Sequence, residues 1–195
     1  RTRNPFTGIV SVSRKAELAF AANLPQSAPS RTATWQNRGP YNLGGRTRAL
    51  ALDVTNEQII LAGQASGGMW RSTDGGEHFV KCTQPGQLHS VSCVAQDTRS
   101  GHTSTWYYGT GEHYGIVNAA GFSSQFSGDG IFKSTDGGVT WAQLTSTISG
   151  TPTTMYQKRD FDFVWEIAVN PTNANQDEVY AAVVNGIWRS TDGGS

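Results

Sequence analysis

The stretch that decides the fold is "GGMWRSTDGGEHF" at residues 67–79, where a short apolar run leads into Ser-Thr-Asp-Gly-Gly. The same five residues return in "GDGIFKSTDGGVTW" at 128–141 and in "NGIWRSTDGGS" at 185–195. A unit repeated at a period of several tens of residues is typical of solenoids, propellers and arrays. The serines of the three copies are Ser72, Ser134 and Ser190, at intervals of 62 and then 56 residues.

Each copy of the motif is preceded by two runs of β-branched, aromatic and small apolar residues, which predict strands. In chain order these runs are "RTRALALDV" (46–54), "QIILAG" (58–63), "SVSCVAQD" (90–97), "TWYYGTG" (105–111), "FVWEIAVN" (163–170) and "EVYAAVV" (178–184). A further run follows each of the first two motifs: "HFVKC" (78–82) and "TWAQL" (140–144). The pattern predicts units of four antiparallel strands, A to D, in which the motif joins C to D.

Four-stranded units repeated along a chain are typical of a β-propeller. A parallel β-helix also repeats, but its coils are far shorter than these periods. The sequence therefore predicts an all-β fold of propeller blades, with two full blades and most of a third. We expect the propeller to be incomplete in this chain, and further blades or domains of the same polypeptide to be its partners. Trp70, Phe132 and Trp188 stand at one position of strand C and are predicted to pack between blades.

The repeated aspartates are interpreted as turn residues. A turn Asp accepts hydrogen bonds from nearby backbone N–H groups, and Gly-Gly permits positive φ. Acid–base catalysis is the alternative, but catalytic residues have no reason to recur with the period of the fold. The residues assigned to the turns are Ser72, Asp74, Gly76, Phe79, Ser134, Asp136, Gly138, Trp141, Ser190, Asp192 and Gly194.

Composition limits the partners and the chemistry. The 195 residues carry 15 Lys+Arg and 15 Asp+Glu, so no net charge favours nucleic acid. No apolar run reaches the roughly 20 residues of a membrane helix. Cys82 and Cys93 have no metal-ligand spacing and are predicted to be free thiols. No phosphate-binding loop or metal cluster is evident, so the sequence predicts no cofactor and no metal.

The pattern Ser-x-Asp-x-Gly-x-x-aromatic resembles the Asp-box, or BNR repeat, of sialidases, sortilin-type propellers and xyloglucan-cleaving propeller hydrolases. In those families the box is a turn on the face away from the ligand. Residues 35–72 resemble the opening blade of large secreted, sortilin-like propeller proteins, many of them exported by type IX secretion. The resemblance implies a secreted or cell-surface location, with extracellular glycans or secretion and cell-surface proteins as further partners.

The chain divides into two parts by sequence. Residues 1–34 form a leader and linker, with a helix predicted at 13–24 between the N-cap Ser13 and Pro25. Residues 35–195 hold the blades.

Two long loops carry the candidate ligand residues. Residues 112–129 are predicted to join strands B and C of the second blade, and residues 145–162 to join the second blade to the third, so both lie on one face. This face either binds a ligand or packs against neighbouring domains. The candidates are Glu112, His113, Tyr114, Tyr156, Arg159 and Asp160, with Phe122, Phe126, Lys158 and Asp162 beside them.

No residue is assigned a catalytic role. Glycosidases generally need two carboxylates, and the resemblance to xyloglucan-cleaving propellers would place one of them where this chain has Ala65. The arginine cluster of sialidases is matched only by Arg46 and Arg48, without an Arg-Ile-Pro element. The sequence thus favours a binding or scaffold module. The alternative is a glycoside hydrolase of the xyloglucanase-like or sialidase-like class, with catalytic residues largely outside this segment.

Overall fold

The part of the chain that the structure describes forms three antiparallel sheets in sequence order. A computed structural model describes residues 46–87, 90–112, 126–148 and 160–195. The first sheet is β1 (Thr47–Leu52), β2 (Ile60–Gln64), β3 (Gly68–Ser72) and β4 (Val80–Lys81), and the second is β5 (Val91–Gln96), β6 (Trp106–Thr110), β7 (Ile131–Ser134) and β8 (Ala142–Gln143). The third is β9 (Val164–Val169), β10 (Val179–Val183) and β11 (Gly186–Ser190), and two 3₁₀ turns lie at Thr145–Thr147 and Asp160–Asp162. The predicted leader helix at 13–24 lies outside the described residues.

Each sheet is a meander in which every strand pairs with the next along the chain. The predicted all-β architecture of four-stranded units is confirmed. Strand D is shorter than predicted, because β4 and β8 contain two residues each. We call the end where β1, β5 and β9 begin the loop end, and the opposite end, which carries the Ser-Thr-Asp-Gly-Gly motifs, the turn end.

The three motifs form one kind of turn. In each, the serine hydroxyl donates to the aspartate and accepts from the backbone N–H of the second glycine. In the second copy these bonds are 2.7 Å to Asp136 and 2.9 Å from Gly138. Asp136 Oδ1 also accepts from the backbone N–H groups of Val139 and Thr140 at 3.0 and 2.9 Å. Gly137 and Gly138 have φ of 74° and 81°, which an L side chain rarely adopts.

Within the described ranges, two apolar layers fill the spaces between neighbouring sheets. The layer between the first and second sheets contains Met69, Trp106, Tyr108 and Phe132. The layer between the second and third sheets contains Tyr107, Ile131, Val164 and Ile167, among others. Because side chains alternate along a strand, Tyr107 and Tyr108 face different neighbours. The central sheet is therefore buried on both faces.

The strand C aromatics have different environments. Phe132 is 3% exposed and packs between the first and second sheets, as predicted. Trp70 is also 3% exposed, and its indole N–H donates to the Gly67 carbonyl. Trp188 lines the space between the second and third sheets with Ile131 and Leu144, but it is 49% exposed, so the described residues show its predicted packing between blades only in part. Its ring contacts Phe161, but the described residues do not cover its outer part.

Both cysteines are buried free thiols, as predicted.

Candidate functional site

The loop end brings residues from neighbouring sheets into contact through an ion cluster. Arg46 immediately precedes β1, and Glu112 lies two residues after β6. Both guanidinium NH groups of Arg46 donate to the Glu112 carboxylate. Arg48 Nε lies 3.4 Å from the same carboxylate. One carboxylate thus holds two arginines of the preceding sheet.

The positive and negative side chains of this cluster differ in their exposure to solvent. The Glu112 side chain is 3% exposed, whereas those of Arg46 and Arg48 are 39% and 46% exposed. Hydrogen bonding to Glu112 raises the pKa of Arg46 above its ordinary value. The solvent-exposed part of the cluster therefore consists of the two guanidinium groups, and the Glu112 carboxylate lies beneath them as their counter-ion.

The backbone around Glu112 is also fixed. Its N–H donates to the Phe126 carbonyl at 2.7 Å, and Phe126 returns a bond of 3.0 Å. Gly111, just before it, has a φ of 91°, and a Cβ there would meet the Asp162 carbonyl oxygen at 2.1 Å. Only glycine allows the third sheet to approach this closely.

Asp160 has a different environment. It begins the 3₁₀ turn before β9, and its carboxylate accepts from Asn185 Nδ2 at 2.7 Å. Two residues on, the Asp162 carbonyl accepts from Gly128 N–H at 2.9 Å and so joins the third sheet to the second. Glu112 and Asp160 therefore lie at the same end with separate partners. The candidates His113, Tyr114, Tyr156 and Arg159 lie outside the described residues.

Ala65 supplies no carboxylate to this end. It is 2% exposed, and its N–H donates to the Arg46 carbonyl at 3.1 Å. The position therefore offers a buried methyl group directly beside the arginine cluster.

A second ion cluster, at the turn end, was not predicted from the sequence. The Arg99 side chain is 8% exposed and donates to Asp97 at 2.5 Å and to Asp177 of the third unit at 2.6 Å. It also reaches the carbonyls of Asn173 and Gln176 at 2.9 and 3.0 Å. Burial alone would raise the pKa of Asp97, but the bonds and charge of Arg99 outweigh it and lower that pKa. The cluster therefore ties the second unit to the third.

The same cluster includes a set of metal-ligand atom types. Asp97, His102 and Asp177 place ligand atoms within 4.8 Å of one another. Arg99 already donates to both carboxylates, and its fixed positive charge opposes a second cation there. The geometry fits an inter-sheet ion bridge better than a metal centre.

No family model and no curated protein sequence matches this chain. Solved protein structures do match this chain. An ancestral GH74 enzyme is 22% identical with a TM-score of 0.56, over 76% of this chain and 18% of its own. The GH74 xyloglucanase from Xanthomonas campestris is 21% identical with a TM-score of 0.44, over 75% and 21%. YCF48 from Cyanidioschyzon merolae is 14% identical with a TM-score of 0.49, over 80% and 37%.

The ancestral GH74 enzyme is a β-propeller, and the three antiparallel sheets formed by the described residues of this chain are similar to its blades. The chain has a β-propeller fold. It spans about a fifth of the GH74 enzymes and over a third of YCF48. At these identities the likeness concerns the fold alone. Among the described residues of this propeller, no helix has the length and apolar character needed to cross a membrane.

Proposed function

We propose that this β-propeller segment is a binding or scaffold module of a larger secreted or cell-surface protein, and that its loop end faces the ligand. The observation that carries the proposal is the Arg46–Arg48–Glu112 cluster. Two half-exposed guanidinium groups are positioned on a rigid edge by a buried carboxylate. Guanidinium groups donate several hydrogen bonds in a fixed plane, which suits hydroxyl, carboxylate and carbonyl groups of a glycan or protein ligand.

The Ser-Thr-Asp-Gly-Gly turns support an assignment to the Asp-box, or BNR, repeat class. They lie at the turn end, opposite the arginines, and their aspartates are engaged by serine hydroxyls and backbone N–H groups. A sortilin-like protein exported by type IX secretion, with further domains in the same polypeptide, is the setting that we propose from the sequence of residues 35–72.

A glycoside hydrolase is the competing proposal. It has the shared fold of the GH74 enzymes in its favour. Against it, Glu112 is bound bidentately by Arg46, and a general acid or nucleophile must reach the substrate. The buried methyl group of Ala65 also stands where the xyloglucanase resemblance would require a carboxylate.

The test separates binding from hydrolysis. The protein is applied to arrays of neutral and acidic glycans, and its action on xyloglucan and sialosides is measured in parallel. We expect binding without hydrolysis, and weaker binding by Arg48→Gln. Arg71→Lys, altered at the turn end, is the matched control and should bind like the unaltered protein. Hydrolysis that disappears in Glu112→Gln while the fold is retained would contradict the proposal.

A further inference from the structure

The first strand of each sheet contains one extra residue at its loop end. The pairing of β1 with β2, of β5 with β6 and of β9 with β10 shifts by one residue there. The extra residues are Arg48, Ser92 and Trp165, at the same position of the three sheets. A β-bulge of this kind leaves its residue unpaired and turns the side chain out of the regular alternation of the strand. We call these three residues the bulge row.

The bulge row reaches solvent, although the residues beside it are buried. The Arg48 side chain is 46% exposed, Trp165 is 40% exposed, and Ser92 is half-buried. Val91 and Cys93, on either side of Ser92, are 1% and 4% exposed. Arg48 and Ser92 keep this exposure with the next sheet packed against their own, so the exposure belongs to the position in the fold.

Close packing of the sheets brings the members of the row together. The Val91 side chain lies directly over Gly63 of the first sheet, and that of Val164 lies over Gly109 of the second, where a Cβ would not fit. Each of these valines immediately precedes a member of the row. Packed sheets lie about 10 Å apart, so the row crosses about 20 Å of the loop end at most.

The charges at the first member of the row do not balance. Arg46 and Arg48 share the single carboxylate of Glu112, so two positive charges face one negative charge. Arg46 holds this carboxylate through two nitrogens, whereas Arg48 approaches it through Nε. Within the described ranges, no hydrogen bond occupies the two terminal nitrogens of Arg48. A guanidinium binds a carboxylate through two parallel hydrogen bonds, so Arg48 can accept an anionic group of a ligand.

The other two members suit a sugar chain. The hydroxyl group of Ser92 can donate and accept hydrogen bonds, as a sugar hydroxyl does. The face of the Trp165 indole carries partial negative charge and attracts the polarised C–H groups of a sugar ring.

The bulges disfavour a peptide along the same strands. Among the described strands, β1, β5 and β9 each pair with one neighbour only. A peptide that binds such an edge adds to the sheet as a further strand. A bulge disrupts the hydrogen-bond ladder that this strand would need, so recognition falls to the side chains of the row.

We propose that the bulge row binds an acidic glycan, an oligosaccharide of uronic acid sugars, with a carboxylate on Arg48, a hydroxyl group on Ser92 and a ring face on Trp165. This inference rests on the binding function proposed above, and it names the ligand class and the residues in contact with it. A single sugar does not span the row, so the ligand is a chain.

The experiment compares charged and neutral forms of the same chains. Oligomers of galacturonate, mannuronate and glucuronate, and their methyl esters, are titrated into the protein by calorimetry. We expect at least one uronate oligomer to bind roughly tenfold more tightly than its ester. Arg48→Gln should remove this difference and leave binding of the ester unchanged. Trp165→Ala should weaken both forms, and Trp165→Phe, which keeps a ring, should restore most of the binding.

Two controls and the glycan array separate the outcomes. Arg71→Lys, at the turn end, should bind like the unaltered protein, and poly-glutamate should not compete with the uronate. Equal binding of uronates and esters, or binding that the Arg48 and Trp165 variants do not change, overturns the inference while the binding function stands. Binding of poly-glutamate without any uronate overturns the assignment to a glycan. A protein that binds no glycan and no peptide contradicts both this inference and the proposed function.

Discussion

Arg71 Nε donates a 2.9 Å hydrogen bond to the carbonyl oxygen of Gly137, which lies in the turn of the next unit. Lys133 repeats the contact one unit later, with Nζ 3.1 Å from the Gly193 carbonyl. The basic residue just before the motif serine thus binds the first turn glycine of the following sheet. The turn motif of one unit therefore also accepts a hydrogen bond from a basic side chain of the preceding unit, and this bond helps to dock the two units.

Replacing Arg71 by Met should weaken this contact between units. A hydrogen bond from a charged donor contributes about 1.5–3 kcal/mol, and because Arg71 is half-buried we expect a loss of about 1–2 kcal/mol. Urea unfolding measures it, with an unchanged slope. Arg71→Lys copies the second unit and should lose clearly less. Equal losses for Met and Lys would show that the bond to Gly137 is not the cause.

Acid should weaken the turns. Hydrogen bonds from the backbone and ring of His78, and from Ser72, lower the pKa of Asp74 to about 2. Burial raises the pKa of Asp136, but bonds from Thr140, Ser134 and Val139 outweigh it and lower it to about 2. An unfolded Asp titrates near pH ~3.9, so this stabilisation is complete above that pH and is lost as pH falls toward 2. The melting temperature should fall between pH 6 and pH 2, and we expect this fall to be smaller in Asp136→Asn than in the unaltered protein.

The repeated features of the fold were readable from the sequence. Strand runs, turn glycines and the four-stranded unit follow from local patterns that recur, so each copy supports the others. The lengths of β4 and β8 were overestimated because the predicted runs at 78–82 and 140–144 begin before the first paired residue and end after the last one. Trp188 shows what the repeated pattern cannot predict. The pattern predicts the direction of a side chain, but not which residues cover it.

The ion clusters could not be read in the same way. Arg46 and Glu112 are 66 residues apart, and Arg99 and Asp177 are 78 apart. Such pairs form only once neighbouring sheets have docked, and no local spacing encodes them. Glu112 was predicted as a ligand residue, but its pairing with Arg46 was not. Arg99 lies outside the repeated turn motif, so the repeat gives no reason to single it out in the sequence.

The loop-end cluster predicts unequal effects for its two arginines. Arg46→Gln removes the bidentate partner of a buried carboxylate and should cost about 2–3 kcal/mol, less than a fully buried pair because Arg46 is part-exposed. Arg48→Gln removes a longer, more exposed contact and should cost under about 1 kcal/mol. Chemical denaturation at pH 7 gives both values. A reversed order would mean that Arg48 is the principal partner of Glu112.

The thiols of Cys82 and Cys93 should be unreactive in the folded protein. Burial raises the pKa of Cys82 to about 11 and that of Cys93 to about 12. Only the thiolate reacts readily, so alkylation at pH 8 should be negligible before unfolding. After denaturation without reductant, mass spectrometry should find both cysteines alkylated. Rapid labelling of Cys93 in the native state would show that the layer between the second and third sheets opens.

Equivalent tryptophans should differ in their contribution to stability. Trp70 is 3% exposed, so Trp70→Ala leaves a large cavity and should cost about 3–5 kcal/mol. Trp188→Ala removes a ring that is about half exposed, and should cost only about 1 kcal/mol. Urea unfolding of both variants, with Phe132→Ala as the buried reference, measures the contrast. A loss at Trp188 as large as at Phe132 would mean that Trp188 is covered in solution, so that the inter-sheet layer extends over β11 as it does over β7.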